Sequence, residues 1–272
     1  YTRTKKGKQY AIHCRTLGKN GKEEIILDEN FYARGKTFFA IGSMEVSPDN
    51  RLLAYSIDTK GDERFTLYIK DLKTKRVLAE RIRSADGLVW SADSAYLFYA
   101  LEEHPFPPRK VYRHRIGTDP KDDALVYAEK DKQWYVGVSD SSDKEYLFIH
   151  SEHAVNYKIM QTPVEDLRKT SWKSWMPHDI GRAITGFAPF ATFSIVTLRE
   201  KGVEEIYVTQ SDASALTKVE LPEVAHAIGV TGELEYDSSF VRFTYQSFVT
   251  PRTVYDFDVE KQKLAVRKVQ KV

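Results

Sequence analysis

The chain has 272 residues, 42% hydrophobic and 12% aromatic, enough apolar material to build a core and to exclude an intrinsically disordered chain. Its 41 basic and 39 acidic residues leave a net charge of +2, which argues against nucleic acid or a membrane surface held by bulk charge. A single cysteine, Cys14, excludes an intrachain disulfide and fits a reducing, cytoplasmic setting.

No run reaches the roughly 18 apolar residues of a membrane span, and no signal peptide is recognisable. The chain opens on Tyr1 inside a strand-like segment, as a piece cut from something longer would. Residues 1–30 read as two or three strands, YTRTKK, QYAIHCRTL and EEIILDE, separated by Gly7 and the turn from Gly18 to Gly21. Cys14 falls in the alternating stretch YAIHC and reads as a buried, inert thiol. Residues 38–84 give four more strands, FFAIGSMEVS, RLLAYSIDT, FTLYIKDL and RVLAERIR. Their alternation predicts apolar faces that pack sheet on sheet.

Within that second unit, Ser47-Pro48-Asp49-Asn50 leads at once into the apolar run Leu52 to Tyr55. Pro presets φ, and Asp and Asn hydrogen-bond their own backbone, so a turn followed by a strand is predicted. The same grammar returns at VWSADSAYLFYA and VSDSSDKEYLFIH, and more weakly at FAPFATFSIVTL and EYDSSFVRFTY. Aligning Tyr55, Tyr99, Ile149, Val196 and Phe243 gives steps of 44, 50, 47 and 47 residues. A second strand type, marked by Ile69, Tyr112, Ile159, Tyr207 and Tyr255, keeps phase with steps of 43, 47, 48 and 48. A repeat of roughly 40–50 residues made of short strands is the signature of a β-propeller with one four-stranded antiparallel blade per repeat. The fold class is therefore all-β, and residues 1–272 are read as one propeller domain.

The third unit, 87–132, carries the polar insert LEEHPFPPRK between its second and third strands. Pro105, Pro107 and Pro108 make that insert a loop rather than a strand. The fourth begins at Gln133, with strands at Trp134 to Val138, Tyr146 to His150 and Tyr157 to Gln161, followed by KTSWKSWMPHD. Units five and six occupy about 184–222 and 226–270. Six units are traceable. The join SEHAVN, residues 151–156, is short and carries no strand of its own, so either a segment is missing there or the ring is unusually small.

The segments EVSPDNRLLAYSIDTKGDERFTLYIKDL, VWSADSAYLFYA, VYRHRIGTDPKDDALVYAEKD and SFVTPRTVYDFD resemble, in order, the propeller domain of the oligopeptidase B (protease II) branch of the prolyl oligopeptidase family of serine peptidases. YRHRIGT with YAEKD is the most specific part. The resemblance implies seven blades, so about one is lacking here, at 151–156. It also implies a catalytic α/β-hydrolase domain in the same polypeptide, which this chain does not contain. That chemistry needs a Gly-x-Ser-x-Gly elbow with a later acid and His, and none of the fourteen glycines begins one. No catalytic residue is carried over, and no cofactor or metal is expected.

Among other candidates, His150 and His153 lack a third ligand for a tetrahedral metal site. His114 reads as a structural or surface imidazole. The doublets Asp62-Glu63, Glu102-Glu103, Asp122-Asp123 and Glu204-Glu205 read as solvated turns, because adjacent strand residues point to opposite faces and cannot pair across a glycosidase pocket. Trp172 and Trp175 read as core or interblade packing rather than a binding platform. Branch members cut after Arg or Lys, so Glu102 and Glu103 are singled out as a rim that attracts short basic peptides.

Two functions remain. One is the non-catalytic lid of a cytoplasmic serine oligopeptidase, which limits access to the active site by size. The other is a stand-alone propeller scaffold for protein interaction, although the Gly-His and Trp-Asp or double-glycine marks of such repeats are absent.

Overall fold

The computed structural model describes residues 1–271 apart from 19–20, 102–107, 132, 154–155, 211–212 and 231–234. The described residues form six antiparallel sheets, one of three strands and five of four, and every sheet is a meander whose strand order follows the chain. This is the all-β, bladed architecture that the repeat predicts. The chain divides into two compact units, Tyr1–Ser139 and Asp140–Val272.

The first unit opens with β1 (Thr2–Arg3), β2 (Ile12–Arg15) and β3 (Glu24–Asp28). A one-turn helix, α1 (Glu29–Tyr32), follows, capped by Asp28, whose carboxylate accepts the Asn30 N–H at 2.9 Å. The second sheet is β4 (Ala40–Val46), β5 (Leu52–Asp58), β6 (Thr66–Asp71) and β7 (Val77–Arg83). The third is β8 (Ala85–Trp90), β9 (Tyr96–Leu101), β10 (Lys110–Arg115) and β11 (Ala124–Ala128). Strand β12 (Tyr135–Asp140) ends at the division and heads the fourth sheet.

In the second unit that sheet continues with β13 (Tyr146–His153), β14 (Asn156–Pro163) and β15 (Lys173–Met176). The fifth sheet is β16 (Arg182–Pro189), β17 (Ser194–Glu200), β18 (Val203–Thr209) and β19 (Leu216–Lys218). The sixth is β20 (His226–Val230), β21 (Phe240–Ser247), β22 (Thr253–Asp258) and β23 (Lys263–Val269). Among the described residues no helix is long and apolar enough to cross a membrane.

The two marker series lie on the second and third strands of the sheets, side by side. Tyr99 pairs with Tyr112, Val196 with Tyr207, and Phe243 with Tyr255. In two sheets the partner is one residue off the marker, Tyr68 for Tyr55 and Met160 for Ile149. One expectation is corrected. The join at 151–156 is not strandless, because Ser151 to His153 extend β13 and Asn156 opens β14, and the two strands pair without a break from Tyr146↔Pro163 to His153↔Asn156.

Packing follows the alternation. On β5, Leu53, Tyr55 and Ile57 meet Ile26 and Leu27 of the first sheet, while Ala54 faces the cluster built on Leu88 and Trp90 of the third. On β17, Val196 and Leu198 pack with Phe148, Ile159 and Trp175, and Ile195 packs with Val241, Phe243 and Tyr245. Successive side chains of one strand therefore enter two different cores.

The Ser-Asp turn is the same object three times. Ser47 Oγ donates to Asp49 Oδ1 at 2.6 Å and accepts the Leu52 N–H at 2.9 Å, while Asp49 Oδ1 accepts the Arg51 N–H at 3.0 Å. Ser91, Asp93, Ala95 and Tyr96 repeat these bonds at 2.6, 3.0 and 2.9 Å. Ser141 donates to Asp143 and accepts from Tyr146 N–H, so the third turn begins at Ser141, one residue later than the alignment on Asp140 suggests. Asn50, Ser94 and Lys144 close the three turns with φ of 61°, 60° and 63°. The Asp49 N–H also donates to Ser94 Oγ at 3.2 Å, tying one turn to the next.

The Ser hydroxyls hold the Asp49 and Asp93 carboxyls below the usual carboxylate range. A carboxyl whose pKa is depressed on folding stabilises above its unfolded value and loses that contribution as pH falls through the folded value. The D49A/D93A variant is therefore expected to lose about 1–2 kcal/mol at pH 7 in urea melts. Its deficit against the parent should narrow as the pH drops below about 4.

Candidate functional site

Two side-chain clusters carry chemistry beyond packing. In the third sheet His114, fully buried, meets Asp123 Oδ1 through Nδ1 at 2.7 Å, and the Tyr99 hydroxyl donates to Asp123 Oδ2 at 2.8 Å. Burial, and then the neighbouring carboxylate, push the Tyr99 hydroxyl well above its ordinary range. Asp123 is thus no solvated turn residue, since its side chain is 3% exposed. His114 Nε2 is buried without a partner in the described structure. The arrangement orients an imidazole, but the ring does not reach solvent, which makes it a structural network.

The remaining doublets also differ from expectation at one place. Glu204 and Glu205 lie on β18 rather than in a turn, where they pair with Arg199 and Lys218. Trp175 is buried, 4.6 Å from the Phe187 ring centroid and 6.4 Å from Phe148, so it is core as the sequence suggests. His150 lies 5.9 Å from Phe187, and burial pushes its imidazole down to about 4. Among the described residues no group of three or more His, Cys, Asp or Glu is placed to hold a metal ion. Glu102 and Glu103 lie outside the described residues.

Two of the larger clefts formed by the described residues are open to solutes. One, of about 580 Å³, lies over the second sheet and is lined by Asp58, Lys60, Arg64, Tyr68, Arg81 and Arg83 among others. Asp58 is committed to the backbone, accepting N–H groups of Lys60, Gly61 and Glu63 at 2.7, 3.0 and 2.9 Å. The Arg81 guanidinium lies 4.6 Å from the Tyr68 ring centroid. The other, of about 790 Å³, lies between the fourth and fifth sheets and presents Tyr146, Phe148, Trp175, Phe190 and Tyr236 beside Asp143. Neither is lined by a histidine or a cysteine among the described residues, so neither brings together a nucleophile and an imidazole base.

The second cluster is at one end of the sixth sheet and escaped the sequence reading. The Glu223 carboxylate accepts the Tyr245 hydroxyl and, at 2.9 Å, the Thr250 hydroxyl, while Glu223 N–H donates to Tyr245 Oη at 2.9 Å. The Tyr245 hydroxyl holds the Glu223 carboxyl below its usual range. Ser247 Oγ accepts the N–H groups of Val249 and Thr250 at 3.1 and 2.9 Å. These partners are 22 to 27 residues apart, so only the segment SFVTPRTVYDFD, for its resemblance, stood out in the sequence. The cluster contains no reactive couple, and it fixes a loop.

The family model described as "Prolyl oligopeptidase, N-terminal beta-propeller domain" matches residues 1–156 and 150–270. Dipeptidyl aminopeptidase BI of Pseudoxanthomonas mexicana is 28% identical over 324 residues, covering 96% of this chain and 45% of the relative. Protease 2 of Moraxella lacunata is 25% identical over 327 residues, covering 99% and 47%. Oligopeptidase B from Leishmania major shares the fold with a TM-score of 0.73 at 22% identity, over 100% of this chain and 47% of that one. The chain thus spans about half the length of the relatives it matches. With two segments of the family model covering residues 1–270, the chain belongs to the prolyl oligopeptidase family, as its N-terminal β-propeller domain.

Proposed function

We propose that the chain is the non-catalytic, access-limiting half of a serine oligopeptidase that cleaves short peptides after Arg or Lys. The observation that carries this reading is the propeller match over residues 1–270 in a chain that holds no Gly-x-Ser-x-Gly elbow. Serine acyl transfer needs a nucleophile, a base and an oxyanion hole, and all three would come from a catalytic domain of the same polypeptide. The propeller contributes by exclusion, admitting chains narrow enough to reach that site. Preference for Arg or Lys is what the resemblance of the sequence to the oligopeptidase B branch implies. Removal of N-terminal dipeptides is a second reading, favoured by the likeness to dipeptidyl aminopeptidase BI. The same setting, a reducing cytoplasm, suits the lone buried thiol of Cys14.

Glu102 and Glu103 are proposed to concentrate basic peptides before the catalytic half grips them. The purified 272-residue chain should hydrolyse no Arg- or Lys-containing reporter peptide, whereas the full-length polypeptide should cleave it. In that polypeptide the E102Q/E103Q variant should raise KM for basic peptides about threefold at low salt with kcat unchanged, and the effect should fade as salt is added. Turnover by the 272-residue chain itself would contradict the reading.

We also infer that one blade of the family pattern is absent between β13 and β14. The two segments of the family match overlap at 150–156, on the hairpin joining these strands. The alignments to both relatives run over 324 and 327 residues, longer than the 272 of this chain, so each holds positions with no counterpart here in a number sufficient for one blade of roughly 40–50 residues. On this account the fourth sheet joins the first two strands of one ancestral blade to the last two of the next. In protein isolated from its source, trypsin should release Glu145 to Lys158 as one peptide, EYLFIHSEHAVNYK, by mass spectrometry. A longer sequence between His150 and Tyr157 would refute the loss.

A further inference from the structure

The sixth sheet leaves an apolar surface uncovered at one end. Val224, Phe248 and Val249 are 84%, 98% and 77% exposed, and Val266 and Val269 on β23 are 57% and 50% exposed. Val224, the Phe248–Val249 turn and Val269 sit at the same end of the sheet, and Val266 lies further along β23. His226, at the start of β20, pairs with Ser247 at the end of β21, and Thr253, at the start of β22, pairs with Val269 at the end of β23. The Gln270 N–H donates to Arg252 O at 2.9 Å, so the chain leaves the sheet beside the Phe248 loop.

That loop is held in place. Ser247 N–H donates to Thr250 O at 3.0 Å, Ser247 Oγ accepts two further N–H groups, and the Thr250 hydroxyl is fixed on Glu223. Pro251 restricts the backbone where the loop returns to β22. A tied turn that presents Phe and Val to water is an apolar knob whose ordering entropy is already spent, which favours binding. Large exposed apolar residues gathered in one place mark a contact surface, whereas scattered ones do not.

We propose that Phe248 and Val249, flanked by Val224, Val266 and Val269, dock the catalytic half of the family polypeptide. This rests on the family reading above. The occupant follows from position: the family match ends at residue 270, beside the knob, and more than half of each relative's length lies outside the matched part. A domain placed after the propeller in such a polypeptide would begin beside this strand's end. Phe248 then acts as an aromatic anchor at the centre of the contact, with Glu223 and Arg252 at its polar rim.

Hydroxyl-radical footprinting tests the proposal without substitution. The tryptic peptide Phe243 to Arg252 carries Phe248 together with Phe243 and Tyr245, both 0% exposed and therefore internal references. Oxidation of Phe248 in the full-length polypeptide should be about fivefold lower than in the 272-residue chain at the same concentration, as for a desolvated interface centre. Equal oxidation in the two, in a full-length polypeptide that hydrolyses peptides, overturns the docking surface and leaves the family reading standing. A full-length polypeptide without a hydrolase half overturns both. Protection that instead grows with concentration in the 272-residue chain assigns the knob to a second copy and overturns the proposal.

Discussion

The structure depends on the burial of its second strands on both faces. Leu53, Ala54 and Tyr55 are consecutive on β5 and each is 0% exposed, and Leu97 to Ala100 on β9 and Leu147 to Ile149 on β13 are buried in the same way. Consecutive side chains of a strand point to opposite faces, so a run of this kind is stable only when a further sheet covers each side. A repeated, nearly identical sheet is the economical answer to that demand, and the Ser-Asp turn starts each buried strand at a fixed register. Slipping one residue would exchange the two faces and put Tyr55 where Ala54 belongs. This constraint also bears on the proposed loss of a blade. Removing one whole repeat, from the end of a second strand to the start of a third, leaves every surviving sheet with its strands in order, and the continuous pairing of β13 with β14 has that form.

Much of this was legible in the chain itself. The turns at Ser47, Ser91 and Ser141 advertise themselves because hydroxyl, carboxylate and strand start lie within six residues. The fifth sheet was harder, because its equivalent turn closes with Phe190 N–H on Phe193 O at 2.8 Å and carries no Ser-Asp pair. A third in-phase mark went unread: a glycine on the first strand, at Gly42, Gly87, Gly137, Gly186 and Gly229. Its cause is steric at two of these positions, where a Cβ would come within 2.7 Å of Ser56 Oγ at Gly42 and within 2.5 Å of Thr197 Oγ1 at Gly186. Close approach between strands leaves no local trace beyond the glycine itself. Asp123 was misread for a similar reason, since its partners His114 and Tyr99 lie on other strands, and Glu223 for the same one. The join at 151–156 looked empty because SEHAVN is polar, yet Ser151 and Asn156 are buried: the Asn156 side-chain amide donates to the backbone carbonyls of Asp179 and Arg182, and its oxygen accepts the Ile184 N–H at 3.1 Å.

The functional reading follows from what the buried frame leaves at its margins. Reactive side-chain types are present, but the best oriented imidazole, His114, is sealed in a core, and the two clefts are lined by arginine and tyrosine in one case and by aromatic residues in the other. The fold spends its polar groups on turns and loop anchors and its apolar groups on sheet contacts. Under the proposed function, such a chain would act through shape, through the charge on its loops and through the surface it offers to a neighbouring domain. In the relatives the propeller belongs with a catalytic domain in the same chain, and the tied loop at Phe248 is the surface proposed to meet such a neighbour.

The central claim, that this propeller works as a size filter, is tested most directly by a length series on the full-length polypeptide. One Arg-containing scissile sequence would be placed in peptides of increasing length and then in a loop of a folded protein, and kcat/KM measured for each. The account predicts efficient cleavage of the short peptides, a steep fall with length and no cleavage in the folded host. Equal kcat/KM across the series would contradict it.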